Sequence, residues 1–419
     1  MDVFDEYTNG NCLRQIKTVG MHTAGEPTRI IVQGFPELHG PTLLEKRNDA
    51  RTTHDGIRKR LMFEPRGHYD MYGAILIPET ELVKAGKADI GVLFCHNEGF
   101  STMCGHATLA LGRFLVDTKD TVVFPKRQLL QRDGSGTRVD LTIHAPCGPV
   151  QVSVPVLPGN DSQVKSDASK PVHFLSVPSY TTAVNLTITI PDKYLWPEIQ
   201  HATSRQVTID IAYGGAFYAI VSPIALGFSK DKSLATGDTH SLPALKEATR
   251  LLKAYLTETP EFRQYYRHPT EPDLEYLYGI IVVEISNAAK TDAKTNGAST
   301  GMQEEVGICF FADQQIDRSP CGSGVSARVA LWMAKASNTS GLLGVPRTYH
   351  SLVTKGKGTD AFVGSAYEKV IVVHDERHLE RGKEWEAWVI KVEGKGYYTD
   401  TATFVLEEDD NISKEGFVL

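Results

Sequence analysis

Two short stretches of this chain carry residues able to move protons. Residues 101–107 read Ser-Thr-Met-Cys-Gly-His-Ala, and residues 317–324 read Asp-Arg-Ser-Pro-Cys-Gly-Ser-Gly. Each sets a cysteine directly before a glycine, and each opens into a run with helical periodicity. A helix N-terminus presents unpaired N–H groups and the positive end of the macrodipole. A thiol placed there ionises more readily, and the thiolate is the basic, nucleophilic form. Cys104 and Cys321 therefore suggest a pair of proton-transfer groups. If both helix starts face one cleft, their N–H groups bind an anion, most simply a carboxylate. One cysteine could then take a proton from the adjacent carbon and the other could return one to the opposite face. That is racemisation or epimerisation at an α-carbon. The same N–H groups would hold the carboxylate as negative charge develops, so the electrostatic work calls for neither metal nor organic cofactor.

Plainer readings compete with this one. A cysteine before a helix is commonly a small buried hydrophobe, and Cys12, Cys95, Cys147 and Cys309 are read that way outright. The matched contexts set Cys104 and Cys321 apart. His106 falls in the first helical turn; a lone histidine is commonly structural, and in a cleft-facing turn it could instead contact substrate or adjust the thiol. Asp317 either closes an Asx turn with Arg318 at the surface or receives a substrate ammonium. His374 and His378 are four apart, but Arg377 and acidic neighbours mark an exposed segment rather than a metal site. No G-x-x-x-x-G-K-[ST] and no G-x-G-x-x-G occurs. Gly297–Gly301 fits G-x-S-x-G but sits in a polar insertion, not between a strand and a helix.

The elements that must position these residues follow from periodicity. After Cys104, Ala107, Ala110, Leu111, Phe114 and Leu115 share a helical face, and Leu109 and Val116 fill others, which predicts a buried helix. After Cys321, Val325, Val329, Trp332 and Met333 do the same. Residues 42–62 and 241–257 also read as helical. Strands are expected around 15–33 as a hairpin, then at 73–77, 90–94, 121–124, 139–143, 150–156, 184–190, 207–212, 217–221, 279–285, 306–312, 370–373, 385–392 and 401–406. Strands thus outnumber helices, and each half holds one central helix beginning after a Cys-Gly. This reads as a divergent internal duplication.

The length of 419 residues suggests two domains, and 41% hydrophobic residues allow each a normal core. The polar, Pro- and Gly-containing stretch 157–171 is the candidate boundary, giving domains 1–160 and 161–396, with the strand near 397–419 a candidate to return to the first. Residues 287–301 read as a surface insertion. A net charge of −7 argues against nucleic acid or an anionic membrane as partner. No apolar run is long enough to span a membrane and no targeting signal is evident, so a cytoplasmic protein with reduced thiols is expected.

Several segments together resemble the proline racemase family: MHTAGEP at 21–27, EPRGHYDMY at 64–72, NEGFSTMCGH at 97–106, YGGAFYA at 213–219 and DRSPCGSG at 317–324. They span most of the chain in family order. The resemblance implies an α+β fold of the diaminopimelate-epimerase type. It has two pseudo-symmetric domains, each a mostly antiparallel sheet around a central helix, with the site in the cleft between them. It implies a cofactor-independent enzyme acting on proline or a hydroxyproline, and a homodimer is an assembly such folds commonly form. By position, Cys104 and Cys321 match the acid/base pair. Asp317 and His106 match groups near the substrate nitrogen. Gly105, His106, Gly322 and Ser323 match the carboxylate cradle, and Phe311 matches an apolar wall. Dehydratases of the family typically carry Thr where this chain has Cys321, so two cysteines favour a racemase or epimerase. The alternative is trans-3-hydroxy-L-proline dehydratase, because the context 103–117 and 273–279 looks closer to that branch. A non-catalytic amino-acid-binding protein would not need the thiol pair.

Overall fold

The computed structural model describes residues 14–159, 164–200, 202, 204–234, 241–285, 303–373, 384–407 and 409–418. Cys12, His374, His378 and the insertion at 287–301 with its G-x-S-x-G pattern lie outside the described residues. The chain divides into two units, Met1–Phe174 with Lys395–Leu419, and Leu175–Gly394. The stretch 157–171 thus falls inside the first unit.

The first unit is built on a sheet in the order β18–β1–β2–β3–β4–β6–β7. Its strands are β1 (Arg14–Thr23), β2 (Glu26–Gln33), β3 (Gly73–Ile77), β4 (Ile90–Cys95), β6 (Arg138–Ala145), β7 (Gly148–Pro155) and β18 (Gly396–Leu406). The pairings run antiparallel, antiparallel, parallel, antiparallel, parallel, antiparallel. A two-residue strand, β5 (Phe100–Ser101), folds back on β4. The β1–β2 hairpin turns on Ala24 and Gly25, at φ 55° and 90°. Two left-handed residues give a turn whose twist matches that of the strands. Helices α1 (Leu43–Thr53) and α2 (Asp55–Met62) pack Leu43, Ile57, Leu61 and Met62 into a core with Ile75, Leu93, Cys95 and Phe100. Helix α3 (Gly105–Asp117) packs against β1, β2, β7 and β18, and all of its residues except Arg113 and Asp117 are buried.

The second unit repeats this plan. Its strands are β9 (Tyr180–Thr189), β10 (Gln206–Tyr213), β11 (Phe217–Val221), β12 (Leu277–Ile285), β13 (Glu304–Phe311), β15 (Arg347–His350), β16 (Phe362–Val373) and β17 (Glu384–Gly394). The order β9–β10–β11–β12–β13–β15–β16 carries the same succession of antiparallel and parallel pairings. A two-residue strand, β14 (Gln315–Ile316), folds back on β13 as β5 does on β4. β17 continues the sheet beyond β16. Helix α4 (Leu242–Glu258) packs on β12, and α5 (Gly322–Lys335) packs against β9, β10, β11, β16 and β17. A short helix, α6 (Leu352–Lys357), follows β15. The internal duplication read from two Cys-Gly pairs therefore extends strand by strand through both units.

Most expected elements are present, with differences at particular places. Residues 121–124 form turns rather than a strand. Val122 is 82% exposed, and Asp120 caps the turn by accepting from the Val122 amide at 2.8 Å. The polar side chain wins over β-propensity where no neighbouring strand is available. β8 (Val172–Leu175), β15 and α6 are additions that the periodicity did not mark.

Candidate active site

In each unit a short hairpin delivers the chain to a cysteine that caps the buried helix. In the first unit, Cys104 is the N-cap of α3 and sits extended at φ −144°. Its sulfur accepts from the Ala107 amide at 3.4 Å, while its carbonyl accepts from the Thr108 amide at 3.0 Å and hydroxyl at 2.7 Å. This is the arrangement that Ser, Thr or Asp adopts at a helix start, with sulfur in place of oxygen. Cys104 is 4% exposed.

His106 lies beside it. Its Nδ1 is 3.2 Å from Cys104 Sγ and its Nε2 3.5 Å. Burial pushes the His106 imidazole down to about 3, against a weaker opposing hydrogen bond to the Pro27 backbone. The ring is therefore neutral near pH 7. The Tyr72 ring meets it edge-on at 4.8 Å, and Tyr72 Oη shares a 2.6 Å hydrogen bond with Ser101 Oγ. The Thr23 hydroxyl, at the end of β1, donates to the His106 carbonyl at 3.0 Å. The MHTAGEP turn thus braces the first turn of α3.

In the second unit, Cys321 precedes α5 with φ 61° and ψ 95°, a left-handed φ for a residue that is not glycine. Such a conformation needs its surroundings to hold it. A relay of hydrogen bonds does so. The Asp317 amide donates to the Cys309 carbonyl at 3.0 Å, the Ser319 amide to Asp317 Oδ1 at 2.8 Å, and the Cys321 amide to Ser319 Oγ at 3.1 Å. The Asx bond expected of Asp317 is present, and Asp317 is 5% exposed. Arg318 is half-buried rather than at the surface, its guanidinium donating to the Ile316 carbonyl at 3.0 Å.

Around Cys321 Sγ stand Tyr218 Oη at 3.5 Å and Ser323 Oγ at 4.0 Å, and these two hydroxyls share a 2.7 Å hydrogen bond. A hydrogen bond with Cys309 is the largest influence holding the Cys321 thiol below its ordinary value, at about 6; burial opposes it, and Tyr218, the Gly324 amide and Arg328 assist. Cys309 moves the opposite way, well above the ordinary thiol range, chiefly through burial. Arg328, 2% exposed, pairs with Glu305 at 2.9 Å and donates to the carbonyls of Pro320 at 2.5 Å and Gly324 at 3.2 Å. Gly214 in the β10–β11 turn approaches so closely that a Cβ there would overlap the Ser323 carbonyl oxygen and lie 2.5 Å from the Ala327 amide. This turn braces α5 as the β1–β2 turn braces α3. Phe311 ends β13, with its ring 5.6 Å from that of Tyr278.

The expected residues therefore gather into two groups, Cys104 with Gly105 and His106, and Cys321 with Gly322, Ser323 and Asp317. The sequence assigns no role to Tyr72, Tyr218 or Arg328, and reads Cys309 as a small buried hydrophobe. Tyr72 and Tyr218 lie inside quoted motifs. Cys309 and Arg328 lie in no quoted motif, and no local pattern marks them. Cys95 keeps the structural reading, burial pushing its thiol to about 12, while Cys147, in the β6–β7 turn, is only half-buried. Among the described residues no group of three or more His, Cys, Asp or Glu side chains is placed to hold a metal ion, and no helix is long and apolar enough to cross a membrane.

Known proteins match along nearly the whole chain. The trans-L-3-hydroxyproline dehydratase of Pongo abelii is 39% identical over 406 residues, covering 96% of this chain and 94% of the relative. The trans-3-hydroxy-L-proline dehydratase of Homo sapiens is 38% identical over 405 residues with the same coverage. A hydroxyproline epimerase from Agrobacterium vitis, solved with trans-4-hydroxy-L-proline bound, shares the fold with a TM-score of 0.69 at 18% identity, covering 97% of this chain and 96% of that one. The proline racemase family model matches residues 18–418, and this chain belongs to that family.

Proposed function

We propose that this chain dehydrates trans-3-hydroxy-L-proline, with Cys104 removing the α-proton. The observation that carries the reading is the 38–39% identity, along 96% of the chain, to proteins bearing that activity in their names. The cysteine pair taken alone ranks epimerisation first, and this identity reverses the order.

The chemistry is consistent with one principal base. In trans-3-hydroxy-L-proline the hydroxyl is trans to the carboxylate, so it shares a ring face with the α-hydrogen. A single thiolate on that face can take the α-proton and hand it to the departing hydroxyl. The C–H and C–O bonds break, a ring C=C forms, and water leaves. The enamine product then tautomerises to the cyclic imine. The amides of Gly105 and His106, and of Gly322 and Ser323, are proposed to hold the carboxylate as charge develops. His106 and Asp317 are proposed to face the ring nitrogen, and Phe311 to wall the ring.

One observation favours a second reading, inversion at the α-carbon of proline or a hydroxyproline. Cys321 is a thiol whose surroundings favour its anion, as a second base requires. Incubation in D2O with L-proline, trans-4-hydroxy-L-proline and trans-3-hydroxy-L-proline, followed by NMR, separates the two. The first reading expects only the 3-hydroxy substrate to be consumed, with the cyclic imine as product. Deuterium at the α-carbon of proline or 4-hydroxyproline with a new stereoisomer, and no dehydration, overturns it in favour of the second.

A further inference from the structure

Tyr218 is fully buried, and the pleat of β11 aims its ring. Side chains alternate across a strand. Phe217 joins the rings of Tyr213 and Tyr180, at 4.8 and 6.1 Å, on one face, and Tyr218 reaches the other, where α5 packs. The Tyr278 ring meets Tyr218 edge-on at 5.8 Å. The hydroxyl at the tip of this fixed ring lies 3.5 Å from Cys321 Sγ and 2.7 Å from Ser323 Oγ, whereas Ser323 Oγ is 4.0 Å from the sulfur. The first unit has a different pair of residues at these places. Tyr218 is the second residue of its strand after the β10–β11 turn, paired with Ala212; the matching place in the β1–β2 hairpin holds Pro27, paired with His22. His106 likewise stands where Ser323 does, two residues after the cysteine. Cys104 thus has an imidazole where Cys321 has two linked hydroxyls.

We propose that Tyr218 is a positioning residue for Cys321: its hydroxyl, backed by that of Ser323, keeps the sulfur hydrogen-bonded in both the thiol and the thiolate form. The proposal rests on the reading that Cys321 acts in proton transfer.

Counting hydrogens gives the two arrangements. Each hydroxyl has one hydrogen to donate and lone pairs with which to accept. When Cys321 is a thiolate, Tyr218 donates to the sulfur at 3.5 Å and Ser323 donates to Tyr218 Oη at 2.7 Å. The opposite order would leave the sulfur to Ser323 at 4.0 Å, the longer contact. When Cys321 is a thiol, its S–H donates to Tyr218 Oη and Tyr218 donates to Ser323 Oγ. Passing between the two rotates two O–H bonds and moves no proton along the chain; the proton on the sulfur is exchanged with substrate. Tyr218 remains a phenol throughout, because burial and the nearby sulfurs of Cys321 and Cys309 hold it well above its ordinary range. The other titratable or charged groups around it are Cys309 on β13, Tyr278 on β12, Arg328 on α5 with its partner Glu305, and Asp317 in the loop before Cys321. Arg328 favours the thiolate whether or not Tyr218 carries a hydroxyl, so the two influences separate on substitution.

The test is titration of the Cys321 thiolate by ultraviolet difference spectroscopy of the full chain, each protein read against the same protein carrying Cys321→Ser. A hydrogen bond to a charged acceptor corresponds to a shift of about one to two pH units. Tyr218→Phe, which keeps the ring and removes the hydroxyl, should raise the midpoint by that amount. Tyr218→Leu, which removes the ring as well, should raise it equally while melting at a lower temperature, because the titration follows the hydroxyl and not the packing. A third arm places 3-fluorotyrosine at position 218, a ring of nearly the same size and a stronger donor, and should lower the midpoint. An unchanged midpoint in a folded Tyr218→Phe chain, or an unchanged or raised midpoint with 3-fluorotyrosine, overturns the proposal; the fluorinated chain decides where the substituted ones do not fold. Full turnover by Cys321→Ser would instead remove the role of Cys321 and leave the titration results intact, so the two failures are distinguishable.

Discussion

Cys104 Sγ lies 3.2 Å from Nδ1 of His106, and the imidazole is held neutral by burial, its value pushed down to about 3. The thiol therefore has a neutral ring for a partner and not an imidazolium. Cys104 and Cys321 sit at equivalent points of duplicated units but in different electrostatic company. One has a neutral histidine, the other a second thiol, a phenol and a buried arginine.

The neutral His106 has a consequence for acid stability. Its folded value lies below the ordinary 6.5, so the fold favours the uncharged form. Its contribution is present above pH 6.5 and is lost as pH falls from 6.5 towards 3. The slope for one such group is about 1.4 kcal/mol per pH unit. Urea midpoints of wild type and His106→Asn, measured from pH 7.5 to 4.5, should converge as pH falls, because the variant has no proton to bind. A gap between the two that stays constant with pH would contradict this account.

Gly214 and Gly56 offer a matched pair. A methyl at Gly214 overlaps the Ser323 carbonyl and the Ala327 amide, which are backbone of the α5 start and cannot swing aside. Gly214→Ala should cost more than about 2 kcal/mol, as overpacking does, and should lower turnover because Ser323 moves with Cys321. Gly56 lies in α2 with nothing within 4 Å of a Cβ. Gly56→Ala should stabilise by about 0.5–1 kcal/mol through helix propensity and leave turnover unchanged. Thermal melts and initial rates on both variants check the contrast.

How much of this was legible in the sequence varies with physical origin. The helices after Cys104 and Cys321 were readable because Ala107 to Leu115 and Val325 to Met333 repeat at helical spacing. The hairpin at 14–33 was readable from alternation, though its turn is only Ala24 and Gly25. The extent of the duplication was not readable. Strand order is set by pairings between residues far apart, such as Arg29 with Gly73 and Phe217 with Leu277, and no local pattern encodes these. Tyr218 and Cys309 were invisible as neighbours of Cys321 for the same reason. They reach it through strand register, and alternation marks them only as inward-facing. The segment at 121–124 failed because apolar character alone cannot tell a strand from a turn.

Arg328 is a buried cation whose donors are divided among Glu305, Pro320 and Gly324, and its guanidinium lies 4.8 Å over the Tyr349 ring. Removing it strands Glu305, which is 8% exposed, and frees two carbonyls. Arg328→Ala should therefore cost about 3–5 kcal/mol, as expected when one partner of a buried pair is lost. Arg328→Met with Glu305→Gln should recover part of this and no more, because Pro320 and Gly324 still lack their donor. Chemical denaturation of the wild type and the two variants measures it. Equal stability of Arg328→Ala and the double variant would show that the Glu305 charge is not the main cost.

Substitution at each cysteine separates the roles proposed for Cys104 and Cys321. In dehydration of trans-3-hydroxy-L-proline, the α-hydrogen and the leaving hydroxyl share one ring face, so a base on the other face is not required by the stereochemistry. Inversion needs both faces. Cys321→Thr retains a small side chain with an O–H donor but no group that ionises near neutral pH, while φ 61° at this position remains a strain that threonine, being β-branched, bears less well. Cys321→Thr should therefore keep measurable formation of cyclic imine, reduced by at least several-fold, and should lose any exchange that inverts the α-carbon. Cys104→Ser should abolish both. The measurement is NMR in D2O of each variant with the 3-hydroxy and 4-hydroxy substrates. Loss of dehydration in a folded Cys321→Thr chain would mean that Cys321 serves the elimination itself. Dehydration at the wild-type rate in Cys104→Ser would remove Cys104 as the base.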